Sequence, residues 1–101
     1  MIVDERTYLL KTGQLNTYID LYRQLGYPAQ IRHLGEPYGL FAVEFGDLDG
    51  WVHMWQYRDV NDRARRRAAL SQDPNWREFQ RQAGDLIVHR QNRLLERVTV
   101  G

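Results

Sequence analysis

The chain has 101 residues and a formal net charge of +1, with 43% hydrophobic and 27% charged residues. It contains no cysteine, which excludes disulfides, thiolate metal sites and iron–sulfur clusters. No apolar run approaches the roughly 20 residues that a membrane-spanning helix needs. The opening Met1-Ile-Val-Asp-Glu-Arg brings charge at once and lacks the apolar stretch of a signal peptide, so a cytoplasmic location is expected.

Residues 2–10, IVDERTYLL, are rich in β-branched and aromatic side chains and read as a strand. From 14 to 25, Leu15, Tyr18, Ile19, Tyr22 and Leu25 recur at helical spacing on one face. Gly26 and Pro28 then interrupt that helix, and a second short helical piece follows over 28–34. Residues 38–45 and 51–58 read as two strands joined by the turn Gly46-Asp-Leu-Asp-Gly50. Asp59 is placed to cap a helix running to about Leu70. Asp73-Pro74 starts another helix, with Asp at the cap and Pro in the first turn. Gly84 ends it, and residues 85–100 read as a last strand with a bend or bulge. The order strand, helix, strand, strand, helix, strand predicts an α+β, ferredoxin-like βαββαβ sandwich over the whole chain, 1–101. Its four-stranded antiparallel sheet carries helices on one face.

Strand 51–58 is apolar on both sides. Trp51, His53, Trp55 and Tyr57 alternate onto one face, and Val52 and Met54 onto the other. A sheet apolar on both sides needs cover on both sides. A second copy packed sheet to sheet supplies it, so a homodimer is the expected partner.

The balanced charge argues against a nucleic-acid binder. Thirteen of the fourteen basic residues are arginine, and one run stands out: Arg63, Arg65, Arg66 and Arg67. On a helix 63 and 67 share a face, while 65 and 66 point elsewhere. The run reads as a solvated face with Arg–Asp pairing.

The chemical inventory is short. One serine and one lysine, with no glycine-rich phosphate loop, leave little room for nucleophilic, Schiff-base or nucleotide chemistry. The three histidines have no local spacing that would clamp a metal, so no metal and no cofactor are expected. Acid–base work is what remains. His53 is the candidate catalytic residue, because an imidazole among aromatic rings is desolvated and held neutral. Arg6 and Tyr8 share a face of the first strand with Asp4, and the first and third strands are central neighbours in this fold. Arg6, Tyr8, Trp51, Trp55 and Tyr57 are the candidate ligand-binding residues. A buried Arg6 needs either a carboxylate of the chain or a bound anion.

Several segments, taken in order, resemble the NIPSNAP family. They are Glu5-Arg6-Thr7-Tyr8, Val52-His53-Met54-Trp55-Gln56-Tyr57, Asp62-Arg63, Arg66-Arg67, Leu70, and Asp73-Pro74-x-Trp76-x-x-Phe79. The resemblance covers essentially the whole chain. It implies a dimeric α+β barrel and no particular reaction, while the preference for arginine over lysine reads as the coding bias of a small bacterial protein. Three readings stay open at this point: a binder of an aromatic or carboxylate-bearing small molecule, a cofactor-independent oxygenase or isomerase using His53, and an interaction scaffold without a pocket.

Overall fold

A computed structural model describes residues 1–101. Four strands, β1 (Ile2–Leu10), β2 (Pro37–Ala42), β3 (Gly50–Tyr57) and β4 (Ile87–Glu96), form one antiparallel sheet in the order β2-β3-β1-β4. That is the ferredoxin-like order, with β1 and β3 in the centre. The helices α1 (Leu15–Leu21), α2 (Tyr27–Leu34), α3 (Val60–Ser71) and α4 (Pro74–Ala83) complete the α+β architecture.

The caps that the sequence points to form as expected. The Asp59 carboxylate accepts from Asp62 N–H, and that of Asp73 accepts from the N–H groups of Asn75 and Trp76. Gly26 and Pro28 do not break the first helix. The backbone runs from α1 into α2 through a π-helical turn, Tyr22–Gly26, in which Tyr27 N–H donates to the carbonyl of Tyr22 five residues back. The wider turn gives the Pro28 ring room where a regular α-helix would press it against the carbonyl four residues earlier. Gly26 is also packed too closely to carry a side chain: a Cβ there would lie 2.8 Å from Tyr22 Cδ1. Strand β2 is shorter than its apolar run: Val43 N–H still donates to the Gly50 carbonyl at 3.0 Å, and the chain bends into the hairpin loop from Glu44. The last strand ends at Glu96, and its bulge falls where the register shifts between Leu9 and Leu10.

One face of the sheet lies under the helices. Tyr8, Leu10, Trp51, Trp55 and Tyr57 are buried there with Tyr18, Tyr22, Phe79 and Leu70 from the helical layer. Val52 and Met54 point to the other side and are only half-buried. Strand β4 is a lightly covered edge, with residues 88–94 all exposed.

Candidate functional site

The register brings the sequence candidates together on the helix-facing side of the central strands. Arg6 lies opposite His53, Tyr8 opposite Trp51, and Asp4 opposite Trp55. Tyr57 continues the same row opposite Ile2.

Asp4 is the anchor of this row. It is fully buried, and its Oδ2 accepts from Arg6 Nη1 at 3.1 Å and from Arg63 Nε at 3.0 Å. Arg6 Nε in turn donates to Tyr8 Oη at 3.2 Å. Arg6 is therefore paired with a carboxylate of the chain itself, two positions away on its own strand. The run on α3 divides as its helical spacing requires. Arg65 and Arg66 donate to Asp62, while Arg63 reaches down to Asp4. Arg67, on the same face as Arg63, is half-buried, with no carboxylate at salt-bridge distance. Burial and then the neighbouring Arg6 charge pull its guanidinium below the usual range.

His53 sits among Tyr8, Trp51 and Trp55. The Tyr8 ring stands nearly perpendicular to the imidazole at 4.8 Å between centroids, and the Trp51 ring stacks at 6.2 Å. Trp55 Nε1–H donates to His53 Nδ1 at 2.9 Å. An indole N–H only donates, so Nδ1 is an acceptor and the neutral ring carries its proton on Nε2. Burial, and next the Arg6 charge, lower the imidazole to about 3. As placed, His53 presents a hydrogen-bond donor, not a free lone pair. Taking a proton from a substrate at Nδ1 would require the Trp55 bond to break.

Four buried polar atoms in this row have no hydrogen-bond partner: Asp4 Oδ1, Trp51 Nε1, His53 Nε2 and Tyr57 Oη. Such an atom costs about 1–3 kcal/mol unless water or a ligand satisfies it. Burial pushes the Tyr57 phenol up, against the opposing pull of Arg67.

The cavities separate these residues. One of about 320 Å³ lies between the π-helical turn and the sheet and is lined by Ile19, Tyr22, Arg23, Tyr27, Leu40 and Trp51. A cleft of about 120 Å³ borders Tyr8 and Arg90. An open groove of about 420 Å³ borders Tyr57, Arg58, Asp62 and Arg66. None of the cavities is lined by His53, Arg6 or Trp55. The other histidines lie elsewhere. His33 Nε2 meets Asp73 Oδ2 at 2.9 Å, beside Arg32, and ties α2 to the cap of α4. His89 is exposed on β4. No three His, Asp or Glu side chains stand close enough to share a metal ion.

Comparison with known proteins places this geometry. The family model described as NIPSNAP matches residues 3–100. The chain belongs to the NIPSNAP family. A NipSnap homolog of Dictyostelium discoideum is 39% identical over 72 residues, which cover 70% of this chain and 31% of the relative. The chain spans about a third of the length of the curated NipSnap relatives it matches. A crystal structure of an Agrobacterium tumefaciens protein is 37% identical, covers 97% of this chain and 94% of its own, and superposes with a TM-score of 0.93. An uncharacterised NIPSNAP-like domain protein of Burkholderia xenovorans is 36% identical, covers 99% and 87% of the two chains, and has a TM-score of 0.92. An antibiotic biosynthesis monooxygenase aligns over 98% of this chain and 100% of its own, at 15% identity and a TM-score of 0.69. At that identity it shares the fold alone.

The low basicity of His53 has a consequence for stability. Below pH 6.5 the unfolded chain takes up a proton at His53, and the folded chain does not until pH falls to about 3. This contribution therefore destabilises the fold progressively as pH drops from 6.5 toward 3. Between pH 7 and pH 5 it amounts to about 2 kcal/mol. In His53→Asn the amide oxygen keeps an acceptor for Trp55 and does not titrate. Urea unfolding at both pH values is expected to show wild type losing about 2 kcal/mol more than the variant. Equal losses would contradict an imidazole held neutral in the fold.

Proposed function

We propose that this NIPSNAP protein binds a small aromatic acid in the cavity between the π-helical turn and β3. The observation that carries this reading is the cavity itself. At about 320 Å³ it is bounded by five apolar or aromatic side chains and one cation, Arg23. That is the size and composition of small-molecule sites, in which apolar walls supply affinity and a few polar groups fix orientation. Tyr22, Tyr27 and Trp51 offer ring faces and edges to a flat ligand. Arg23 pairs with Asp20 at 3.1 Å on the surface, an exposed contact weak enough to be exchanged for a ligand carboxylate. The wider turn also fits this role, since π-helical insertions occur frequently at functional sites. The larger groove beside Asp62 offers less, because Asp62, Arg58 and Arg66 already satisfy one another. Of the ligand residues expected from sequence, Trp51 lines this cavity, and Arg6, Tyr8, Trp55 and Tyr57 do not. Binding is favoured over turnover because His53 reaches no cavity.

Titration with benzoate and 1-naphthoate, read by tryptophan fluorescence and by amide shifts of Tyr22, Tyr27 and Trp51, is expected to saturate. Arg23→Gln is expected to weaken the acids roughly three- to tenfold and to leave the corresponding neutral amides unchanged. Shifts scattered over the surface, or none, would overturn the reading.

We further propose that the opposite sheet face is covered by a second copy of the chain. Val52 and Met54 are half-buried there beside Leu95, and Phe41 at the β2 edge is 52% exposed. An apolar sheet face of this kind is closed most simply by two-fold pairing. Native mass spectrometry at micromolar concentration is expected to show a dimer. A monomer that persists as concentration rises would contradict this packing.

A further inference from the structure

Beside α3, on the side of the sheet toward β4, positive charge collects without matching negative charge. Asp4 is the one buried carboxylate of the row, and its Oδ2 is already shared by Arg6 and Arg63. Arg67 stands on the same face of α3 as Arg63, half-buried, beside Arg6 and the Tyr57 hydroxyl, and no carboxylate pairs with it. Arg90 of β4 completes the group by lying over the Tyr8 ring at 5.7 Å. The next acid on this face, Glu96, pairs in register with Ile2, beyond Asp4, and is exposed.

A half-buried guanidinium with no carboxylate, next to a second cation, is costly, and a bound anion would offset that cost. The place is accessible: residues 88–94 of β4 are exposed, and Asn92, directly opposite Arg6, adds an amide at the rim. Planar guanidinium forks match the oxygens of carboxylates and phosphates. One carboxylate against four guanidiniums leaves a surplus that suits an anion of two charges.

We propose that Arg6, Arg63, Arg67 and Arg90 form an oxyanion site that takes a small dianion, either a dicarboxylate or a phosphate. The site borders β1 and β4, whereas the aromatic cavity borders β2 and β3, so the two stand or fall separately. The Asp4 carboxylate holds Arg6 and Arg63 in place, and Arg67 supplies the cation that no carboxylate of the chain pairs.

The test is an NMR titration of the full chain with succinate and, separately, with inorganic phosphate, each against chloride at matched ionic strength. Saturable shifts of the Arg6 and Arg67 Nε–H signals are expected with at least one of the two anions. A response to succinate alone assigns a carboxylate ligand, and a response to phosphate alone assigns a phosphorylated one. Arg67→Gln is expected to weaken binding about tenfold or more. Arg65→Gln, whose side chain pairs with Asp62 away from the site, is expected to bind as wild type does. The proposal is overturned if neither anion surpasses chloride, or if Arg67→Gln binds as tightly as wild type.

Discussion

A carboxylate with no exposure in the middle of a central strand sets the terms for the rest of this protein. Asp4 bears a charge that burial would make prohibitively expensive by itself. It is kept by two guanidiniums, one from its own strand and one from α3. The bond to Arg63 fastens α3 onto the sheet through a charged contact in a region otherwise closed by Leu70, Trp55 and Tyr57. The bond to Arg6 lays that side chain along β1, where it also reaches Tyr8. Arg6 held in this way lies directly across from His53. The histidine, already desolvated by its aromatic neighbours, then has a cation beside it and stays neutral.

From this arrangement follows a division of the helix-facing surface. Toward β2 the lining is aromatic and leaves room for a flat molecule beneath the π-helical turn. Toward β4 the lining is cationic and only partly compensated. Between them His53 and Trp55 are solid core, joined by an N–H···N bond that commits the imidazole's acceptor nitrogen. The fold is shared with an antibiotic biosynthesis monooxygenase, but at 15% identity that likeness says nothing of chemistry. This chain's own residues set aromatic rings on one side of that core and guanidiniums on the other.

Much of this was legible in the sequence, for identifiable reasons. The alternation in β3 sorts Trp51, His53, Trp55 and Tyr57 from Val52 and Met54, because a strand's side chains alternate without exception short of a bulge. Asp59 and Asp73 announce helix starts by their chemistry. The spacing of the arginine run already separates Arg63 and Arg67 from Arg65 and Arg66. The π-helical turn was not legible, because Gly26 and Pro28 are the usual marks of a helix end and periodicity does not show a single widened turn. Nor was the pairing of Arg6 with His53, since cross-strand register is set by hairpin geometry and packing. The lack of a carboxylate for Arg67 depends on which acids the fold brings near, and residue spacing does not encode that. The same holds for the hydrogen bond from Trp55, which changes His53 from a plausible base into a donor.

The Asp4 carboxylate ties α3 to the sheet through Arg63, and a double-mutant cycle between the two measures that tie directly. Urea unfolding of wild type, Asp4→Asn, Arg63→Gln and the double variant is predicted to give a coupling energy of about 1–3 kcal/mol, with the double variant less damaged than the two single losses combined. A coupling indistinguishable from zero would show that α3 is held by apolar packing alone and would remove the constraint from which the division of the site is derived.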